Sequence, residues 1–388
     1  MNLPVPVKRK LFQAALVLIT LVSILPACTQ AAGNTGSPAP SFPFDPDLSA
    51  WKTASWSPFT VRDSITGFAY GETPAGGIFV AVSITGLIAY SVDGDIWLRA
   101  LKAPKENPDD PEAPNPFNAE FNAVCYGGGV FIAAGNNGKI ARSTDGVYWK
   151  AGPPTGINGF GASSINGISC GNGIVVAVGD NANISCSADG GLTWAGGSAP
   201  VFGGKRLNAV SFGNGVFYAA GNEGQTGYSN DPAGGSWNHY RYPARNTGTY
   251  PDEKQDPGYP FFGGNITKLA WGRYGQGNGI AAVFDEWGGR RIAIATSDDF
   301  RGWDADIDAG NFGANQIRGI CYGGGYFVAM GTSAMIGFWP SADPSNTGTR
   351  YWRAHPFLEF NYWEITAAAA CKDRFFAGGI GGKIGYSK

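Results

Sequence analysis

The sequence predicts an all-β fold: a seven-bladed β-propeller of four-stranded antiparallel blades, its ring closed by the N-terminal strand completing the last blade. Three observations carry this. From about residue 50 onward the 388-residue chain repeats itself seven times. Each repeat divides into short apolar stretches punctuated by Gly, Asn and Asp. The seventh repeat lacks its final stretch, while an unassigned one, Ala50 to Val61 with Trp51 and Trp56, precedes the first. Four-strand units recurring every roughly 40–65 residues are the mark of propeller blades.

In chain order, residues 1–27 come first. Lys8, Arg9 and Lys10 precede a short apolar stretch from Leu11 to Leu25, and Leu25-Pro26-Ala27-Cys28 follows at once. Such a segment is too short and too close to a small-residue site for a stable span, and reads as a secretion signal. Its ending resembles a bacterial lipobox, although Pro26 departs from the usual pattern. The resemblance implies acylation of Cys28 and a lipid anchor to the cell envelope, facing periplasm or exterior. Thr29, which is not Asp, implies the outer membrane if the source is diderm. Residues 28–49 are rich in Pro, Ser, Ala and Gly, carry no apolar period and read as a tether. The propeller is assigned to 50–388.

The clearest repeat is FNAVCYGGGVFIAAGNNGKIARSTDGVYW, Phe121 to Trp149. Asn122 to Tyr126 reads as a first strand, a Gly-rich turn leads to a second at Val130 to Ala134, and Asn136-Asn137-Gly138 turns the chain into a third. Asp145-Gly146 then turns it into a fourth carrying Trp149. Other copies end at Trp97, Trp194, Trp237, Trp303 and Trp352. The link between third and fourth strands resembles the Asp box of BNR, sialidase-like repeats. Ser187, Asp189, Gly191, Thr193 and Trp194 meet that pattern in full; Asp93, Asp145, Asp231, Asp299 and Asp343 sit in shortened or stretched versions. The expected role is structural: a carboxylate accepting turn N–H groups, with the Trp packed between sheets.

Sialidases of similar architecture use an Arg triad, an Arg-Ile-Pro segment and a Tyr–Glu pair. No Arg-Ile-Pro occurs here, and Arg62 is followed by Asp63-Ser64. The layout is closer to photosystem II assembly-factor-like propellers, a resemblance that implies an exported protein-binding platform. No catalytic residue, metal ligand or cofactor is assigned. Asp252, Glu253 and Asp256 with Asp285 or Glu286 offer only solvated carboxylates, and His239 and His355 lack the neighbours of a metal site.

Twenty-eight Lys and Arg against 30 Asp and Glu leave no basic field for nucleic acid. Partner binding is expected instead on the face formed by the loops from second to third strands and from each blade to the next. Three insertions lie there: 101–118, 238–263 and 353–363. They supply aromatic faces beside Arg: Tyr240, Arg241, Tyr242, Arg245, Tyr250, Tyr259 and Phe261 in the longest, His355 and Trp363 in the last, with Trp287 from repeat five. Rings interleaved with cations suit a protein hot spot or, as the alternative, a sugar. The expected function is a membrane-tethered, non-enzymatic scaffold for an envelope or extracellular protein; a carbohydrate-binding or glycoside-hydrolysing propeller is the alternative. Cys125, Cys170, Cys186, Cys321 and Cys371 are expected to be small buried thiols, since bridges between equivalent repeat positions would cross the ring.

Overall fold

The computed structural model describes residues 51–102, 119–153, 156–240, 264–274, 277–286, 289–295, 303–304, 312, 315–340, 353–361 and 363–387. These form seven sheets built on four antiparallel strands each, and in six of them those four strands follow the chain from inner to outer. Blade three is representative: Ile165–Gly171, Ile174–Gly179, Asn183–Ser187 and Ala195–Ser198 pair in sequence order. The tight links are dictated locally. Asn172-Gly173 holds positive φ between the first two strands, and Asn181 and Ala182 hold it between the second and third. Gly and Asn are the residues that adopt this region at least cost.

Blade seven is composite. Ile365–Cys371, Arg374–Gly379 and Ile384–Ser387 are joined by Trp51–Thr53, which pairs antiparallel with Ile384–Ser387 in the register Trp51↔Ser387. In blade one Tyr90 pairs with Leu98, and in blade three Cys186 pairs with Ala195, which sets Trp97 opposite Ser91 and Trp194 opposite Ser187. Trp51 therefore occupies the position that the seventh repeat leaves empty.

The core lies between blades. Seven apolar clusters each join two neighbouring sheets, and Trp97, Trp149, Trp194, Trp237 and Trp51 each belong to one of them. The cluster joining the last blade to the first sets Phe68, Phe79 and Trp97 against Phe376 and Tyr386. Large rings at each junction bury the most area per residue, and their burial outweighs the many Gly in the turns.

Two local features differ from the sequence expectation. Leu101–Lys102, assigned to an insertion, adds a fifth strand to blade two, parallel to Tyr148–Ala151. In blade five Asp285, read from sequence as a solvated carboxylate, is a half-buried strand residue paired with Arg290, where Gly277–Glu286 and Gly289–Ala295 form one hairpin.

The cysteine expectation is corrected. Cys125 and Cys170 form a disulfide with a Cα–Cα separation of 6.1 Å. They lie on the inner strands of blades two and three, which run side by side, so the bridge spans one blade junction and crosses no channel. Cys186, Cys321 and Cys371 are buried thiols.

Candidate functional site: the polar mouth of the channel

The inner strand of every blade carries the same irregularity. Pairing with the second strand shifts between Ile65 and Gly67, Phe121 and Ala123, Ile165 and Gly167, Leu207 and Ala209, Ile266 and Lys268, Ile317 and Gly319, and Ile365 and Ala367. A bulge leaves one residue unpaired and re-aims its side chain. Here the residues are Thr66, Asn122, Asn166, Asn208, Thr267, Arg318 and Thr366, all polar.

Five of them bond to the next blade. The Asn122 amide donates to the Ile165 carbonyl at 2.8 Å, Asn166 to Leu207 at 2.9 Å and Asn208 to Ile266 at 2.8 Å. The Thr66 hydroxyl donates to Phe121 at 2.7 Å, and Thr366 to Ile65 at 2.6 Å, linking the last blade to the first. In blade six Arg318 instead pairs with Glu364 of blade seven, Nε to Oε1 at 2.6 Å. This polar belt surrounds the end of the channel to which the second-to-third strand turns belong.

The three Asn side chains are also held within their own blades. Asn122 donates to Asn136 Oδ1 at 3.0 Å, Asn166 to Asp180 Oδ1 at 3.1 Å and Asn208 to Asn222 Oδ1 at 2.9 Å. Both N–H groups of each amide are thereby used. Arg206 donates to Asn166 Oδ1 at 2.8 Å and lies 3.3 Å from Asp180. The amide oxygens of Asn122 and Asn208 find no protein donor among the described residues. A cavity of about 380 Å³ opens here, lined by belt residues together with Arg206, Lys268, Asn222, Asn265 and Asp285. It offers carboxamide and hydroxyl oxygens as acceptors, and one carboxylate and two cations among its lining.

Sequence reasoning missed this belt although its signal is present. The seven first strands begin ITGF, FNAV, INGI, LNAV, ITKL, IRGI and ITAA, with Asn, Thr or Arg always second. A polar residue at one register position of an otherwise buried strand needs a partner.

Among the surface residues expected from sequence, Tyr240 ends the outer strand of blade four, paired with Thr226. His355 is exposed and pairs with Ile336 in blade six. Trp363 is half-buried, with the Lys383 ammonium 5.0 Å from its ring centre. Neither His355 nor Trp363 lines the cavity. Arg241, Tyr242, Arg245, Tyr250, Tyr259, Phe261 and Trp287 lie outside the described residues, as do Cys28, Asp299 and Asp343. The residues that follow 241–263 in the chain do reach the mouth. They run through Gly264, whose carbonyl accepts from Gly224 N–H at 2.7 Å, into Asn265, Thr267 and Lys268.

At the opposite end of the blades the Ser-Asp turns are closed by their own carboxylates. The Asp189 carboxylate accepts from Thr193 Oγ1 at 2.5 Å, from Thr193 N–H, Leu192 N–H and Ser187 Oγ. Those bonds, the Thr193 hydroxyl foremost, hold its pKa well below the usual carboxylate range. At Asp93 burial pushes the pKa up, but the Ile96 and Asp95 amides and the Ser91 hydroxyl outweigh it, and the net shift is down. Asp145 accepts from the Val147 and Tyr148 amides at 2.9 and 2.8 Å. Asp231, in a stretched turn, accepts from Gly234 N–H at 3.1 Å. These bonds commit the carboxylates to closing their own turns. The Cys186 thiol, pushed up to about 12 by burial and by Asp231, stays protonated. No group of three His, Cys, Asp or Glu able to hold a metal occurs among the described residues.

Comparison with solved structures gives the same architecture. YCF48 from Cyanidioschyzon merolae superposes with a TM-score of 0.58 at 15% identity, over 87% of this chain and 98% of that one. The chain is a β-propeller. A structure of YCF48 bound to D1 peptide matches with a TM-score of 0.58 at 12% identity, covering 90% and 99% of the two chains. The WD40 β-propeller domain of Doa1 matches at 0.53 and 11% identity, covering 88% and 97%. No family model and no curated protein sequence matches the propeller.

Proposed function

We propose that this propeller is a membrane-tethered, non-enzymatic scaffold that recognises an envelope or extracellular protein through the face bearing the channel mouth. In this reading residues 1–27 are a lipoprotein signal, Cys28 carries the anchor and 28–49 is the tether. The partner rests on Tyr240, Arg241, Tyr242, Arg245, Tyr250, Tyr259 and Phe261, with Trp287, His355 and Trp363. The observation that carries the reading is that the chain leaving the longest, most aromatic insertion enters the fold at a polar cavity, through Asn265, Thr267 and Lys268. A rigid mouth flanked by a ring-rich segment combines fixed hydrogen-bonding groups with hot-spot side chains. The YCF48 structure with D1 peptide is a precedent for peptide recognition by this architecture.

The test is affinity capture from detergent-solubilised envelope of the source organism. The bait from Cys28 onward is compared with one in which 240–260 is replaced by a short Gly-Ser linker. A stoichiometric protein captured by the first and lost from the second supports the scaffold reading. Equal captures by two folded baits overturn the assigned surface. Retention of polysaccharide instead of protein would favour the sugar-binding alternative, for which the mouth's amide oxygens and hydroxyls are suitable acceptors.

A further inference from the structure

Away from the mouth, the outer rim of blades one and two exposes large apolar side chains that neighbour one another through the backbone. Trp56 is 51% exposed and forms a parallel bridge with Ile96, itself 50% exposed. The Trp97 amide donates to the Trp56 carbonyl at 3.0 Å and fixes that pairing. Trp97 is buried, so strand alternation turns Ile96 and Leu98 outward together. Leu101 pairs with Tyr148 across the added parallel strand, and both are nearly half exposed. Single exposed apolar residues are ordinary; five on one rim mark a contact surface.

What covers this rim is indicated by the chain path. Residues 51–56 run directly from the end of the tether, through the outer strand of blade seven, to Trp56. A Pro- and Ser-rich segment from Cys28 to Ala50 has an average reach on the order of 25 Å. Anchoring at Cys28 would therefore keep the rim at high local concentration near the bilayer, where even a weak patch is occupied. Trp and Tyr flanked by aliphatic residues are the side chains that favour the lipid–water boundary. We propose that the Trp56–Ile96–Leu98–Leu101–Tyr148 rim lies against the lipid surface, so that the propeller sits edge-on. The proposal rests on the tethered reading only for an anchor at residue 28.

The test supplies that anchor chemically. The chain from Cys28 onward, with its Cys125–Cys170 bridge formed, is coupled through the Cys28 thiol to maleimide-bearing phosphatidylethanolamine in phosphatidylcholine vesicles. Brominated lipid then reports contact by quenching tryptophan emission. Quenching is expected in the parent chain, lost in Trp56→Phe and lost in Ile96→Lys/Leu98→Lys. Salt should not change it, because the contact is apolar. Emission unquenched in the coupled parent chain, or quenching equal in the parent and in a folded Trp56→Phe, overturns the proposal. The mass of Cys28 in protein purified from its host decides the native anchor separately, so the two readings fail independently.

Discussion

Asp189 illustrates how much structure one short side chain organises. Its carboxylate closes the turn after Ser187, the Gly191 carbonyl accepts from Trp194 Nε1 at 3.2 Å, and the indole is thereby fixed at the blade junction. Asp189→Ala removes the acceptor while leaving the turn donors in place, and should cost about 1 kcal/mol in chemical denaturation, the usual loss for a capping carboxylate. The pH dependence follows the same bonds. Asp93 and Asp189 have folded pKa values below their unfolded ones, so their contribution is complete above the unfolded value, near 4. It is lost as pH falls through the folded values. Acid titration of the melting temperature should decline below about pH 4 for the parent and less steeply for Asp189→Asn. These turns were legible in the sequence because their chemistry is local. Every partner of Asp189 lies within four residues, so spacing alone reveals the arrangement.

Between elements, legibility falls where meaning depends on a neighbouring blade. The last residues of the inner strands of blades three and four show this. A Cβ on Gly213 would overlap the Trp271 ring of blade five, and one on Gly171 would overlap Phe212 of blade four. Glycine here makes room for a close approach. Gly213→Ala should destabilise by about 1–3 kcal/mol through overpacking, measured as a lowered urea midpoint. The Cys125–Cys170 bridge was missed for a related reason. Comparing equivalent repeat positions selects pairs across the channel, whereas adjacent inner strands bring unequal positions together. Replacing both cysteines by Ala should cost about 2–4 kcal/mol. Reductant should lower the parent's melting temperature and leave that variant unchanged. The bulged Asn and Thr were equally hidden, because a polar second residue acquires its role only once the next blade's carbonyl stands beside it.

For the whole molecule, the number of blades and the supply of the missing strand from the N-terminal side were legible because repeats count themselves. The polar mouth was not legible, because its bulged residues acquire partners only from the neighbouring blade. The structure makes Trp51 the sharpest test of how the ring holds. Its indole is 2% exposed, and with no Asp-Gly turn before it, Nε1 finds no acceptor among the described residues. Packing rather than hydrogen bonding keeps it in place. Trp51→Ala should cost about 3–5 kcal/mol, as for other large buried rings. Because blades six and seven both border this residue, fluorescence and far-ultraviolet dichroism should still report one coincident unfolding transition, at lower denaturant.

That same strand is where the N-terminal segment joins the folded ring. Tension applied to the chain upstream of residue 51 is delivered first to three paired residues, Trp51 to Thr53, and to the indole seated between blades six and seven. The ring's fastening and the entry of the N-terminal segment are thus one mechanical element. A pull on that segment would be felt as strain on the clasp before any other blade is disturbed.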